Sequence, residues 1–133
     1  MSDSTRGGVE LKDWTEPGYR PLIFSDDWQV AILNWESGAD LNHLQWIEKH
    51  NHTDEVFILL SGKATLITEE NGSFHLFEGI PGRVLNVLSG TWHTVIGYEG
   101  CSWVIVEKKD THLNDVEKRE LTHAELERIR LKL

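Results

Sequence analysis

The chain has 133 residues, 39% of them hydrophobic and 26% charged, with a formal net charge of -9 at neutral pH. That length supports one domain with a proper core and is short for two, while the acidic balance disfavours nucleic acid and anionic membranes as partners. A single cysteine, Cys101, excludes an internal disulfide, and without an apolar leader segment or a run of about 18 apolar residues the expectation is a soluble, cytoplasmic protein.

In chain order, residues 1–20 have no clear periodicity and are expected to form an irregular arm. Residues 21–110 are short apolar runs broken by turn chemistry. The expected strands are Leu22–Phe24, Trp28–Leu33, Leu44–Ile47, Val56–Leu60, Lys63–Thr68, Phe74–Phe77, Arg83–Val87, Thr94–Ile96 and Trp103–Val106. Asn71-Gly72 between two of them is a strong hairpin signal, because a type I′ turn needs positive φ at both central residues. Strands this short at roughly ten-residue spacing point to an antiparallel sandwich or barrel. Residues 111–133 read as a tail. There, Thr122-His123-Ala124-Glu125 has the form of a capping box, and Leu126, Ile129 and Leu133 recur at helical spacing, so a short amphipathic helix is expected.

The stretch EKHNHTDEVFILLSG at 48–62 crowds histidines and carboxylates against an apolar strand. His50 and His52 are two apart, so on an extended chain both rings share a face. Glu55 opens the apolar run, where a carboxylate is costly unless something satisfies it. A divalent cation shared with two imidazoles would do so. His93 follows a glycine turn at Gly90 and supplies a third imidazole at the start of another apolar strand.

These residues resemble the two motifs of the cupin superfamily. The first runs G-x5-H-x-H-x3–4-E-x6-G, and the chain offers His50-x-His52, Glu55 and, after six intervening residues, Gly62. The second runs G-x5-P-x-G-x2-H-x3-N, matched in spacing by Gly82, Gly90 and His93, with Leu88 in place of the proline and Gly97 in place of the asparagine. Only two residues separate His52 from Glu55, where cupins have three or four. If the longer spacing is kept, Glu48 and His50 take the two histidine positions and His52 falls on the turn. The chain also resembles small cupins with an E-[KR]-H-x-x-T-D-E-V-F segment, which favours that second register. His50, Glu55 and His93 belong to both registers, and Glu48 and His52 are rivals for a fourth ligand.

The resemblance implies an all-β fold, a double-stranded β-helix (cupin jelly-roll barrel) with a short C-terminal helix and the metal site inside. It implies a divalent transition metal, Fe, Mn, Ni or Zn, with positions left for a small-molecule ligand, and a homodimer. Two functions fit. One is a metal-dependent isomerase, lyase or oxygenase acting on a sugar, sugar acid or keto acid; the other is a non-catalytic binding module using the same pocket. Trp46 and Trp92 flank the expected ligands and are candidates to stack on a substrate, and Arg83 is a candidate for an anionic group. His43, His75, His112 and His123 carry no site signal, Cys101 and Trp103 are expected in the core, and Glu107-Lys108-Lys109-Asp110 reads as a solvated exit from the barrel.

Overall fold

A computed structural model describes residues 3–133. Its strands are β1 (Ser4–Arg6), β2 (Val9–Leu11), β3 (Gly18–Phe24), β4 (Trp28–Asn34), β5 (Trp46–Lys49), β6 (Glu55–Ser61), β7 (Ala64–Glu70), β8 (Ser73–Glu78), β9 (Val84–Val87), β10 (Trp92–Gly97), β11 (Ser102–Lys108) and β12 (Glu117–Glu120). Two helices, α1 (Thr111–Asn114) and α2 (His123–Arg130), lie in the last quarter of the chain. No helix among the described residues is long and apolar enough to cross a membrane.

Ten of the strands form two five-stranded antiparallel sheets, ordered β12-β5-β10-β7-β8 and β3-β4-β11-β6-β9. From β5 to β11 the chain passes repeatedly between the sheets, which face each other as the two halves of a barrel. Period-two alternation decides what lies inside. Phe57 and Leu59 of β6, Trp103 and Ile105 of β11, Ala31 of β4 and Leu66 of β7 meet in one core. The Asn71-Gly72 turn joins β7 and β8 with both residues at positive φ, 52° and 83°, as its type requires.

A second core lies on the outer face of the first sheet, under α2. Ile47, Ile67, Phe74, Ile96 and Leu121 pack there against Ile129 of the helix. An eight-residue helix is too short to persist alone. Burying Ile129 completely contributes roughly 1.5–3 kcal/mol to holding it. The expected capping box is present: Thr122 Oγ1 accepts from the Glu125 amide at 3.1 Å, and Glu125 accepts from the Thr122 amide at 3.0 Å.

Glu125 also takes both guanidinium arms of Arg119, at 2.9 and 3.0 Å. That two-pronged bond holds its pKa near 2, below the ordinary 4.5. A depressed carboxylate contributes stability that is complete above its unfolded pKa and fades as pH falls through the folded one. We expect the thermal midpoint of Glu125→Gln to lie below that of the parent at pH 6, with the gap closing between about pH 4.5 and 2. A gap that stays constant across that range would remove the ion pair from the account.

Several local expectations need correction. Residues 4–11 form a hairpin, and β3 begins at Gly18, so the first 20 residues are not an irregular arm. The strand expected at Leu44–Ile47 is shifted to Trp46–Lys49, because a 3-10 turn at Leu41–His43, capped by the Asp40 carboxylate, draws the Leu44 amide back onto the Leu41 carbonyl. The polar segment Glu117–Glu120, taken as tail, is an edge strand pairing with β5. Finally, β11 runs on to Lys108 and buries Glu107, at 4% exposure, so that residue is not a solvated exit.

Candidate metal centre

Four strand ends converge at one mouth of the barrel. His50 follows the last residue of β5, Glu55 opens β6, His93 is the second residue of β10, and Glu107 is near the end of β11. Pairing fixes their approach. His93 lies opposite Glu48 across β10 and β5, and Glu107 lies opposite Glu55 across β11 and β6. His50, Glu55, His93 and Glu107 are each exposed by 5% or less.

Glu55 Oε1 lies 2.7 Å from His93 Nε2 and 3.1 Å from His50 Nε2. The other ring nitrogens are committed to carbonyl oxygens: His50 Nδ1 donates to Asp115 O at 2.7 Å, and His93 Nδ1 to Thr91 O at 3.0 Å. A carbonyl can only accept, so each Nδ1 carries its hydrogen. A neutral ring then presents a bare lone pair at Nε2, aimed at a carboxylate that also has only lone pairs to offer. The arrangement is satisfied by protonating the rings or by a cation between them. In this protein burial opposes charging of His50, yet the hydrogen bond and charge of Glu55 outweigh it and lift its pKa to about 9. Burial alone would raise Glu55, but its bonds to His50 and His93 hold it well below the ordinary carboxylate range.

Glu48 Oε1 stands 4.0 Å from His50 Nε2, and Glu107 Oε2 stands 3.9 Å from the same atom. Two overlapping groups could hold an ion, Glu48–His50–His93 and His50–Glu55–Glu107, with ligand atoms within 4.8 Å of one another in each. Bonds of about 2.1 Å to a six-coordinate ion place neighbouring ligands about 3.0 Å apart and opposite ones about 4.2 Å apart. The measured separations, 3.1, 3.9 and 4.0 Å from His50 to Glu55, Glu107 and Glu48 and 2.7 Å from His93 to Glu55, are close to those of ligands sharing such an ion.

His52 is placed elsewhere. The strand ends at Lys49, so the two-residue period does not carry from His50 to His52; it carries from Glu48 to His50 instead. The His52 side chain is 72% exposed and faces Asp115 at 3.5 Å. Asp115 accepts from the amides of both Asn51 and His52, at 3.0 and 2.8 Å, which fixes the loop that carries His50.

The site opens into a cavity of ≈670 Å³. Leu33, Phe57, Val95 and Ile105 give it apolar walls, and Tyr19, His112, Glu36 and Lys118 give it polar ones. Behind one wall, Tyr19 donates its hydroxyl to Glu107 Oε1 at 2.8 Å, while Gln29 Nε2 reaches the Tyr19 oxygen at 3.0 Å and His112 Nδ1 at 3.1 Å. Burial and the negative charge of Glu55 push Glu107 up to about 8, and burial beside Glu107 pushes the Tyr19 hydroxyl far above its usual value. Sequence reading missed all of these groups, and it set His112 aside. The aromatic lining is therefore Tyr19, Phe57 and His112, and neither Trp46 nor Trp92 takes part. Trp92 instead packs toward the outer core, under Lys49 and Arg119. Arg83 is exposed and bonds the Glu78 carbonyl. Cys101 is buried, with burial raising its thiol pKa, so it is core as expected. Another hollow, of ≈570 Å³ and lined by Asp40, Leu76, Ile96 and Leu133, contains no histidine.

No protein-family model matches the chain, and no curated protein matches it. Solved structures do share its fold. A cupin-2 domain containing protein from Shewanella frigidimarina superposes with a TM-score of 0.56 at 19% identity, over 72% of this chain and 85% of that one. KdgF from Halomonas sp. gives 0.54 at 20% identity, over 77% and 92%. The QdtA 3,4-ketoisomerase from Thermoanaerobacterium thermosaccharolyticum, solved as a double mutant in complex with TDP, gives 0.56 at 16% identity, over 66% and 63%. The all-β jelly-roll architecture is thus the one found in cupin structures.

Proposed function

We propose that the barrel holds a divalent transition metal through His50, Glu55, His93 and Glu48 and acts with it on a small polar molecule of the sugar, sugar-acid or keto-acid kind. The observation that carries this reading is the pair of imidazoles whose Nδ1 hydrogens are fixed on backbone carbonyls and whose Nε2 atoms converge on one buried carboxylate. Metal-binding histidines are commonly oriented in this way, with the far nitrogen donating to a carbonyl or carboxylate. Such an ion supplies Lewis acidity toward a carbonyl or hydroxyl oxygen.

The chain's own groups set the rest. Apolar walls flank the reacting end, while Lys118, which also lines the cavity, offers a cation to an anionic substrate. Tyr19 and His112 face the cavity as groups able to hold or pass a proton, which favours catalysis over simple binding. Resemblance in fold to a ketoisomerase bound to TDP agrees with a polar ligand of this size class.

The test is elemental analysis of protein purified without added metal, with Glu48→Ala and His52→Ala beside it. The parent is expected to carry one transition metal per chain. His52→Ala should keep it, and Glu48→Ala should lose about tenfold or more in affinity. Equal loss in both variants would return His52 to the ligand set, and a metal-free parent would end the metal reading. A metal-loaded protein that binds sugar acids or keto acids without converting them is a binding module.

A further inference from the structure

Glu107 has one oxygen accounted for and one that is not. Its Oε1 accepts from the Tyr19 hydroxyl at 2.8 Å and from Gln29 at 3.4 Å. Among the described residues, its Oε2 is the one buried side-chain polar atom without a hydrogen-bond partner. An unpaired carboxylate oxygen in a protein interior is costly, and it persists where something else satisfies it. Oε2 is not adrift. Tyr19 and Gln29 tie down its twin, the pairing of β11 with β6 sets Glu107 opposite Glu55, and Oε2 comes to rest 3.9 Å from His50 Nε2.

We infer that Glu107 is a further oxygen ligand of the metal, bringing the set to two imidazoles and three carboxylates, Glu48, Glu55 and Glu107, around one ion. This rests on the metal reading above and adds to it the coordination number and the kind of ion. Five protein donors leave one position on a six-coordinate ion, enough for a single substrate oxygen. Three carboxylates against two imidazoles shift the preference toward oxygen-loving, six-coordinate Mn(II) and away from four-coordinate Zn(II). The second wall of hydrogen bonds also gains a purpose, since Tyr19 and Gln29 orient a ligand through the oxygen that does not bind.

The substitution that separates the possibilities is Glu107→Gln. Its amide oxygen can still accept from Tyr19, while the anionic donor is lost. Mn(II) and Zn(II) would be titrated calorimetrically into protein stripped of metal, and thermal unfolding followed with and without Mn(II). Glu107→Gln should bind Mn(II) about 100-fold more weakly or worse, beyond the effect of an outer partner, and Zn(II) with a smaller loss. Mn(II) should raise the unfolding temperature of the parent by more than that of the variant, because the ion binds the parent more tightly. Equal Mn(II) affinity in parent and variant overturns the inference while leaving the other ligands standing. A parent that binds neither ion removes the metal reading itself. Should Glu107→Gln not fold, Glu107→Asp keeps the charge but withdraws the oxygens by one methylene, and unchanged Mn(II) affinity there overturns the inference equally.

Discussion

Protein with His93 replaced by alanine is expected to fold, to be purified without its transition metal, and to bind added ion more than ~100-fold more weakly than the parent. His93 is the member of the site that no neighbour in sequence can replace. It arrives on β10, 38 positions beyond Glu55, and its Nε2 makes the shortest approach in the cluster, 2.7 Å. Its ring is 2% exposed, edge-on to Phe57 at 5.9 Å and to His50 at 5.2 Å. Removing it deletes a ligand and leaves a small void beside Phe57. The void and the lost hydrogen bond together cost roughly 2–4 kcal/mol, which a domain stable by about 5–15 kcal/mol survives. Elemental analysis and calorimetry read the metal, and far-ultraviolet circular dichroism reads the fold. Retention of one ion per chain at the parent's affinity would mean that positions 50, 55 and 93 do not share an ion.

Much of this architecture was readable from the residues, and the exceptions have a common cause. Strands whose alternation is written in apolar side chains, such as β6 and β7, were found within a residue or two. Those that exist because a neighbour pairs with them were not. β12, with the sequence EKRE, has no apolar alternation; it is a strand because β5 offers it an edge. Glu107 was lost for a related reason. Ending β11 at Val106 left Glu107 attached to the charged run that follows. The period of two through Trp103 and Ile105 nonetheless lands on Glu107, and carrying the strand one turn of the pleat further would have put it inside. His50, Glu55 and His93 were legible because motif spacing names them. The choice between Glu48 and His52 was not, because it depends on where β5 ends, and strand ends are set by hydrogen-bond partners that a single sequence does not reveal.

The largest loss of stability is expected from Gly62→Ala, at about 3 kcal/mol or more, with little change in metal affinity for the fraction that folds. Three glycines match the motif positions, and the structure separates their reasons. Gly62, Gly82 and Gly90 all have positive φ, 77°, 86° and 81°. Around Gly82 and Gly90 the space is open, so alanine there meets only the backbone penalty, about 1–2 kcal/mol. At Gly62 a Cβ would stand 2.7 Å from Cys101 Cα and 2.9 Å from Cys101 N. Those are main-chain atoms of the residue just before β11, which cannot swing aside as the end of a long side chain could. Overpacking of this kind adds about 1–3 kcal/mol to the backbone term. Gly62 follows the far end of β6 from Glu55, about 20 Å away along the strand, so the damage should leave the metal ligands in place. Thermal or urea unfolding of Gly62→Ala beside Gly90→Ala measures the difference. If both variants lose the same stability, the close passage of the Gly62 turn over Cys101 contributes nothing, and the first motif's glycine is needed for its φ alone.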